Sequence, residues 1–397
     1  MSDLLRSLPN HETPLQPPPR PVMVSSLEEE EEDRRPSSDS SASSTASAIT
    51  VRPGSRECAL TRSLTGSHWT DYFAQELYLD YHSDDYDAKY HVYVTPPTDL
   101  KKGPLFVCHH GAGASGLSFA CFAREVQKML PGCGVLSLEA REHGSSIMRK
   151  VDITGTNPTL DFSIVALSSD ALNMIHLTKT RLEWPVLPPM VLVGHSLGGA
   201  VVTEIAANGS LGVALIGFAV LDVVEGSALE ALAHMRTYLS SRPDSFATVD
   251  AAVEWHVRSR TVRNVESARV SVPSLLVWDP SPSSGAAEGV WRWRTELKAT
   301  EPWWEVWFKG MSAKFLRGKG AKMLVLAGTD RLDKDLMIGQ MQGKFQLHVL
   351  PEAGHFVQED MPERTAQIMV DFFKRNDRSA MILPPKVSDL LAQGKKV

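Results

Sequence analysis

The chain has 397 residues, 43% of them hydrophobic, with a formal net charge of -6. That length can bury a large core and admits two or three domains, while the acidic balance argues against a nucleic-acid partner. Residues 1–21 carry prolines and polar side chains where a signal peptide needs an unbroken apolar run, and no later stretch reaches transmembrane length, so the expectation is an intracellular protein, cytoplasmic or nuclear, with no membrane partner.

Residues 1–66 are dominated by Pro, Ser, Thr and charge, with an acidic run at 28–33. Such a composition cannot bury enough apolar surface to offset chain entropy, and it reads as a disordered tail. The acidic run can dock on a basic partner surface, although a solvated charge run is the commoner explanation. Arg34 and Arg35 make too small a basic cluster for a nuclear signal.

Order is expected from about Trp69. Leu77 and Leu79, then the alternating Tyr90, Val92 and Val94, predict an antiparallel pair of strands ended by Pro96 and Pro97. Residues 105–108 form a continuous apolar run, the mark of a strand buried on both faces. It leads into His109-His110-Gly111-Ala112-Gly113, a variant of the H-G-G-G loop that supplies an oxyanion-binding N–H in α/β-hydrolases, with Ala112 as the expected donor. No third ligand is spaced to make a metal site of the paired histidines, so loop bracing is their expected use.

A helix is predicted around Phe119, Phe122, Val126 and Met129, then a strand at 134–138. The turn Glu139-Ala140-Arg141-Glu142-His143-Gly144-Ser145 follows, in which His143 is expected to brace the structure. Ile164, Leu167, Ala171, Met174 and Leu177 mark another helix, and 190–193 another buried strand. This alternation argues for a mostly parallel sheet with helices on both faces, its functional groups at the C-terminal ends of the strands.

The strand at 190–193 delivers Gly194-His195-Ser196-Leu197-Gly198, a G-x-S-x-G turn that holds a serine hydroxyl clear of the sheet at a helix N-terminus. Ser196 is the candidate nucleophile, and the Leu197 N–H joins that of Ala112 as an oxyanion donor. Residues 213–220 predict the next strand, ending at Asp222. Residues 323–327 predict another, ending near Asp330 and Asp333, and 345–350 the last, leading to His355.

Between Asp222 and Met323 lie nearly a hundred residues, too many for an unstructured loop. They read as a cap holding seven of the nine tryptophans, which suits either a packed lid or an aromatic docking surface, with a flexible loop at 280–289. The expected organisation is a tail at 1–66, hydrolase core at 67–226 and 321–376, cap at 227–320, and an extension at 377–397.

A serine hydroxyl needs a base, and a histidine held by a carboxylate supplies one. The chain order Ser, acid, His points to His355 as the base, whereas His348 falls inside a strand. The acid is less determined: the usual position in this fold is Asp330, with Asp333 close by, and Asp222 lies one strand earlier. Cys58, Cys108, Cys121 and Cys133 have no metal or disulfide spacing and read as reduced structural thiols.

The elbow from Gly194 to Ala200, the stretch Asp222-Val223-Val224-Glu225-Gly226, residues 264–271 and above all residues 330–345 resemble the protein phosphatase methylesterase family, across roughly Trp69 to Phe373. The resemblance implies a cofactor-free serine esterase acting on the C-terminal leucine methyl ester of the type 2A protein phosphatase catalytic subunit. It also implies Asp222 as the triad acid, leaving Asp330 and Asp333 to hold structure or the partner. Ala112 departs from the family's glycine, and the 280–289 loop lacks an acidic run that some relatives carry. A general esterase, lipase or peptidase, or a phosphatase-binding protein without catalysis, would share parts of this pattern.

Overall fold

The computed structural model describes residues 67–84, 86–150, 160–280, 289–328 and 332–377. The tail at 1–66 with Cys58, most of the 280–289 loop, Asp330, and the extension beyond Asp377 lie outside the described residues.

The chain opens with β1 (Gln75–His82) and β2 (Tyr86–Thr95), then β3 (Leu105–His109), α1 (Ala120–Met129), β4 (Gly134–Leu138), β5 (Ile147–Lys150), α2 (Ile164–Arg181), β6 (Met190–His195), α3 (Leu197–Asn208) and β7 (Leu215–Leu221). A long insertion follows, with α4 (Glu225–Ser241), β8 (Ser245–Phe246), α5 (Val249–Arg258), α6 (Val265–Ser271), β9 (Leu276–Asp279), β10 (Val290–Trp293), α7 (Trp304–Phe308) and α8 (Met311–Arg317). The core resumes with β11 (Ala321–Leu326), α9 (Lys334–Met341), β12 (Gln346–Val349), α10 (Val357–Asp360) and α11 (Pro362–Asn376).

The main sheet runs β1-β2-β4-β3-β6-β7-β11-β12, with β5 paired to β2. From β4 to β12 every pairing is parallel, while β1, β2 and β5 join antiparallel. Every residue of β3, β4 and β6 is buried, because helices cover both faces: α1 and α11 pack over one, α2, α3 and α8 over the other. The chain leaves β3 for β4 on one side and returns to β6 on the other. That reversal opens a crevice at the C-terminal strand ends, where the 111–113 loop and Ser196 both emerge.

One sequence expectation needs correction, and one strand was not expected. The strand expected at 213–220 begins at Leu215; residues 212–214 form a single 3-10 turn in which Val213 is fully exposed. β5 escaped the sequence reading because its Ile147-Met148-Arg149-Lys150 has no alternating pattern, and only its pairing with Tyr86 to Lys89 of β2 makes it a strand.

In the insertion, the tryptophans are mostly packed rather than displayed. Trp304 and Trp307 are buried and donate their indole N–H groups to Thr300 Oγ1 (2.9 Å) and Phe162 O (2.7 Å). Trp255, Trp291 and Trp293 pack on a small apolar cluster around Phe246 and Leu276, and Trp278 remains exposed.

Candidate active site

β6 runs into α3 through Ser196, whose backbone sits at φ +52° and ψ -118°. A non-glycine residue there stores about 1–3 kcal/mol of strain, held in place by the Ser196 N–H donating to Leu221 O at 3.0 Å. The turn is possible only because its flanks are bare: a Cβ on Gly194 would lie 2.1 Å from Gly198 O, and one on Gly198 would lie 2.1 Å from His109 O. The strained turn leaves the serine side chain facing a cavity of about 400 Å³.

Asp222 follows β7, also at positive φ (+50°), with its N–H donating to Val325 O at 2.7 Å. Its buried carboxylate accepts from Ala327 N–H through Oδ1 (2.8 Å) and from His355 Nδ1 through Oδ2 (2.8 Å). In the neutral ring that second bond places the proton on Nδ1 and turns Nε2 into the acceptor. His355 stands after β12 with its side chain 48% exposed. Its ring makes no hydrogen bond to Ser196 among the described residues; contacts of this kind are often long in free enzymes and close around substrate.

The 111–113 loop after β3 faces the same cavity, lined by Gly111 and Ala112 together with Ser196, Asp222 and His355. The Ala112 N–H is taken up by no hydrogen bond among the described residues. Leu197 is the first residue of α3, so its N–H is one of the helix-start donors without an intrahelical acceptor. The structure therefore places Ala112, Ser196, Asp222 and His355 on one cavity, with Leu197 next to Ser196 at the start of α3.

Four buried histidines brace the surroundings. His143 Nδ1–H donates to Arg141 O (2.8 Å), so its Nε2 accepts from Gly113 N–H (2.9 Å) and holds the loop. His110 Nδ1–H donates to Gly111 O (2.7 Å) while Nε2 accepts from Ala140 N–H (3.0 Å), and His109 Nδ1–H donates to His110 O (3.0 Å). His195 Nε2–H donates to His355 O at 2.8 Å. Burial disfavours the charged ring in each: His109 and His143 are lowered to about 4, His195 to about 3, and His110 well below its ordinary value. Burial thus favours the neutral ring in all four, as acceptance of a backbone N–H requires of His110 and His143.

The remaining candidates lie elsewhere. Asp333 caps α9, accepting from Leu336 N–H at 3.0 Å, and takes the Ser312 hydroxyl as well. His348 sits within β12, its pKa lowered by partial burial and by Arg375 and Arg364. Sequence reasoning missed Glu225, whose two oxygens accept from Gly310 N–H (2.7 Å) and Ser312 N–H (3.1 Å) and tie the start of the insertion to α8. It also missed the role of His195, a position inside the elbow motif that the motif leaves unspecified. Among the described residues no three His, Cys, Asp or Glu side chains gather as a metal-holding group, and no helix is long and apolar enough to cross a membrane.

Away from the catalytic edge the cavity is apolar, closed by Leu232 and Met235 of α4, Leu297, Trp304, Trp307 and Phe356. A hydroxyl, an imidazole backed by a carboxylate, two free N–H groups and an apolar recess are the parts needed for acyl transfer from an ester.

Comparison with known proteins agrees. Residues 106–368 match the family model described as the alpha/beta hydrolase family. Curated relatives called protein phosphatase methylesterase 1 include one from Aspergillus fumigatus, 52% identical over 99% of this chain and 93% of the relative. Another, from Gibberella zeae, is 55% identical over 85% of this chain and 81% of the relative. Among solved structures, E-2-(acetamidomethylene)succinate hydrolase superposes with a TM-score of 0.55 at 17% identity, over 75% of this chain and all of that one. The thioesterase domain from the curacin biosynthetic pathway gives 0.51 at 18% identity, over 75% of this chain and 99% of that one. At such identities these two structures speak for the fold alone.

Proposed function

The chain belongs to the protein phosphatase methylesterase family of α/β-hydrolases, and on that premise we propose that it removes the methyl ester from the C-terminal leucine of the type 2A protein phosphatase catalytic subunit. The observation that carries this reading is the 2.8 Å contact between Asp222 and His355 at the mouth of the cavity that Ser196 and Ala112 also line. The apolar recess behind Ser196 suits a leucine side chain, and most of its walls, Leu232, Met235, Leu297, Trp304 and Trp307, come from the insertion.

In this mechanism His355, oriented by Asp222, takes the Ser196 proton as Oγ attacks the ester carbonyl. The N–H groups of Leu197 and Ala112 stabilise the tetrahedral oxyanion. His355 returns the proton to the departing methoxide, which leaves as methanol, and the leucine carbonyl stays on Ser196 as an acyl-enzyme. Water then attacks with its proton going to His355, and collapse of the second tetrahedral intermediate frees the carboxylate and restores the serine.

The test is methanol release from the purified methylated phosphatase, comparing this protein with Ser196→Ala. Release by the unmodified protein alone supports both substrate and nucleophile. If neither releases methanol while p-nitrophenyl acetate is still hydrolysed in a Ser196-dependent way, the esterase chemistry stands and the phosphatase substrate is discarded.

A further inference from the structure

The His355 imidazole is half exposed, so packing alone does not hold it in place. Anchors on either side of its backbone do. On one side the His355 carbonyl accepts from His195. On the other, the Gly354 N–H donates to Asp360 Oδ2 at 2.6 Å, and Asp360 Oδ1 accepts from the Arg263 N–H at 2.7 Å. The Asp360 side chain is only 1% exposed, with the Arg263 guanidinium 3.7 Å away while that group also donates to Glu352 O.

A buried carboxylate is costly unless its oxygens are satisfied, and the donors that satisfy this one belong to two different segments. One is the loop carrying His355; the other leads into α6 of the insertion. The grip continues along α6, where Ser267 Oγ donates to Glu359 O (2.8 Å) and Ser271 Oγ to Glu359 Oε2 (2.6 Å). Space is tight at the joint: a Cβ on Gly354 would lie 3.0 Å from both Asp360 Oδ2 and Arg263 Nε.

We propose that Asp360 is a positioning residue for His355, tying the Gly354 N–H to Arg263 of the insertion so that the imidazole meets Ser196 at the right place. The inference rests on the esterase reading above, in which His355 is the base. Asp360 touches no reacting atom and does not line the apolar recess, so its loss lowers kcat and leaves KM in place.

The experiment measures p-nitrophenyl acetate hydrolysis and the rate of labelling by a fluorophosphonate, per folded molecule as judged by circular dichroism, for Asp360→Ala, Asp360→Asn and Gly354→Ala. A displacement of about 1 Å at a catalytic group costs on the order of 100-fold, so Asp360→Ala should lose roughly that much kcat, with KM within about twofold. Asparagine keeps one acceptor oxygen and should recover part of the rate. Labelling should slow in step, since Ser196 is then less well activated, whereas a purely structural role would reduce the folded fraction and leave the rate per folded molecule unchanged. Should Asp360→Ala fail to fold, Gly354→Ala decides, because its Cβ pushes the same carboxylate aside. A folded variant with kcat within about twofold of the unmodified protein overturns the proposal. Ser196→Ala and His355→Ala run alongside: if they lose activity and the Asp360 variants do not, the positioning role alone fails. If they keep it, the esterase reading fails first.

Discussion

Burial sorts the histidines around the active site into two kinds. His109, His110, His143 and His195 lie in the interior with their protons fixed by backbone carbonyls, and burial keeps them neutral. His355 is half exposed and bonded to a carboxylate, which suits the base of the proposed mechanism. Asp222→Asn tests this division. An amide N–H facing Nδ1 would force the ring proton onto Nε2 and remove the base, at a cost of about 10⁴ in kcat, read from steady-state hydrolysis of p-nitrophenyl acetate. Asp330→Asn is expected to keep the unmodified rate; the opposite pair of results would move the acid to Asp330. His143→Gln makes a gentler test, since glutamine can offer its carbonyl oxygen to the Gly113 N–H. His143→Ala leaves that donor without a side-chain acceptor, and a melt should show a loss of about 1–3 kcal/mol.

At the scale of elements, the strand, elbow and helix from Met190 to Asn208 concentrate strain where the proposed chemistry needs an exposed hydroxyl. Glycine tolerates the Ser196 backbone angles and alanine does not. Both substitutions should abolish turnover, but Ser196→Gly should be the more stable of the two by roughly 1 kcal/mol in a urea melt. Equal stability would mean that the turn is relaxed. This segment was legible in the sequence because a fully buried parallel strand reads as an unbroken apolar run and the turn admits only small neighbours. His355 was legible too, as the histidine directly after the last strand. The acid was not: periodicity places Asp222, Asp330 and Asp333 alike at strand ends, and only resemblance separated them. Within the insertion, the short helices α6 to α8 and the two-residue β8 carry too few residues to show a period. They take shape from contacts distant in sequence, such as Glu225 on the start of α8 or Arg263 on Asp360.

For the whole molecule, the buried ionisable groups predict how stability varies with pH. Burial holds His109, His143 and His256 at about 4 and His195 at about 3, against about 6.5 in an unfolded chain. Between about 4 and 6.5 the unfolded chain binds protons that the folded one refuses, so stability falls as pH drops through that window. Groups shifted upward act in the other sense: burial raises Asp360, and two more, His91 and Glu359, bear on the neutral range. His91 loses charge stabilisation to burial, but Glu139 at 2.6 Å and Glu76 at 2.7 Å outweigh that and raise its pKa. Its contribution is complete below about 6.5 and is lost as pH rises through the raised value. Glu359 is pushed up to about 8 by burial, so the folded state keeps a proton that the unfolded chain releases near 4.5, and stability falls as pH rises across that interval. Below 6.5 these histidines, with His110 acting in the same sense, outnumber Glu359 and Asp360, and above it the alkaline terms dominate, so thermal stability should peak near pH 6.5. Differential scanning fluorimetry from acid to alkaline buffers would show the dome. Glu359→Gln removes the ionisation while keeping an acceptor for the Ser271 hydroxyl, so it should flatten the alkaline limb and leave the acid limb as steep as before. An alkaline limb unchanged in that variant would mean that Glu359 is already ionised in the folded protein, with His91 left to account for the slope.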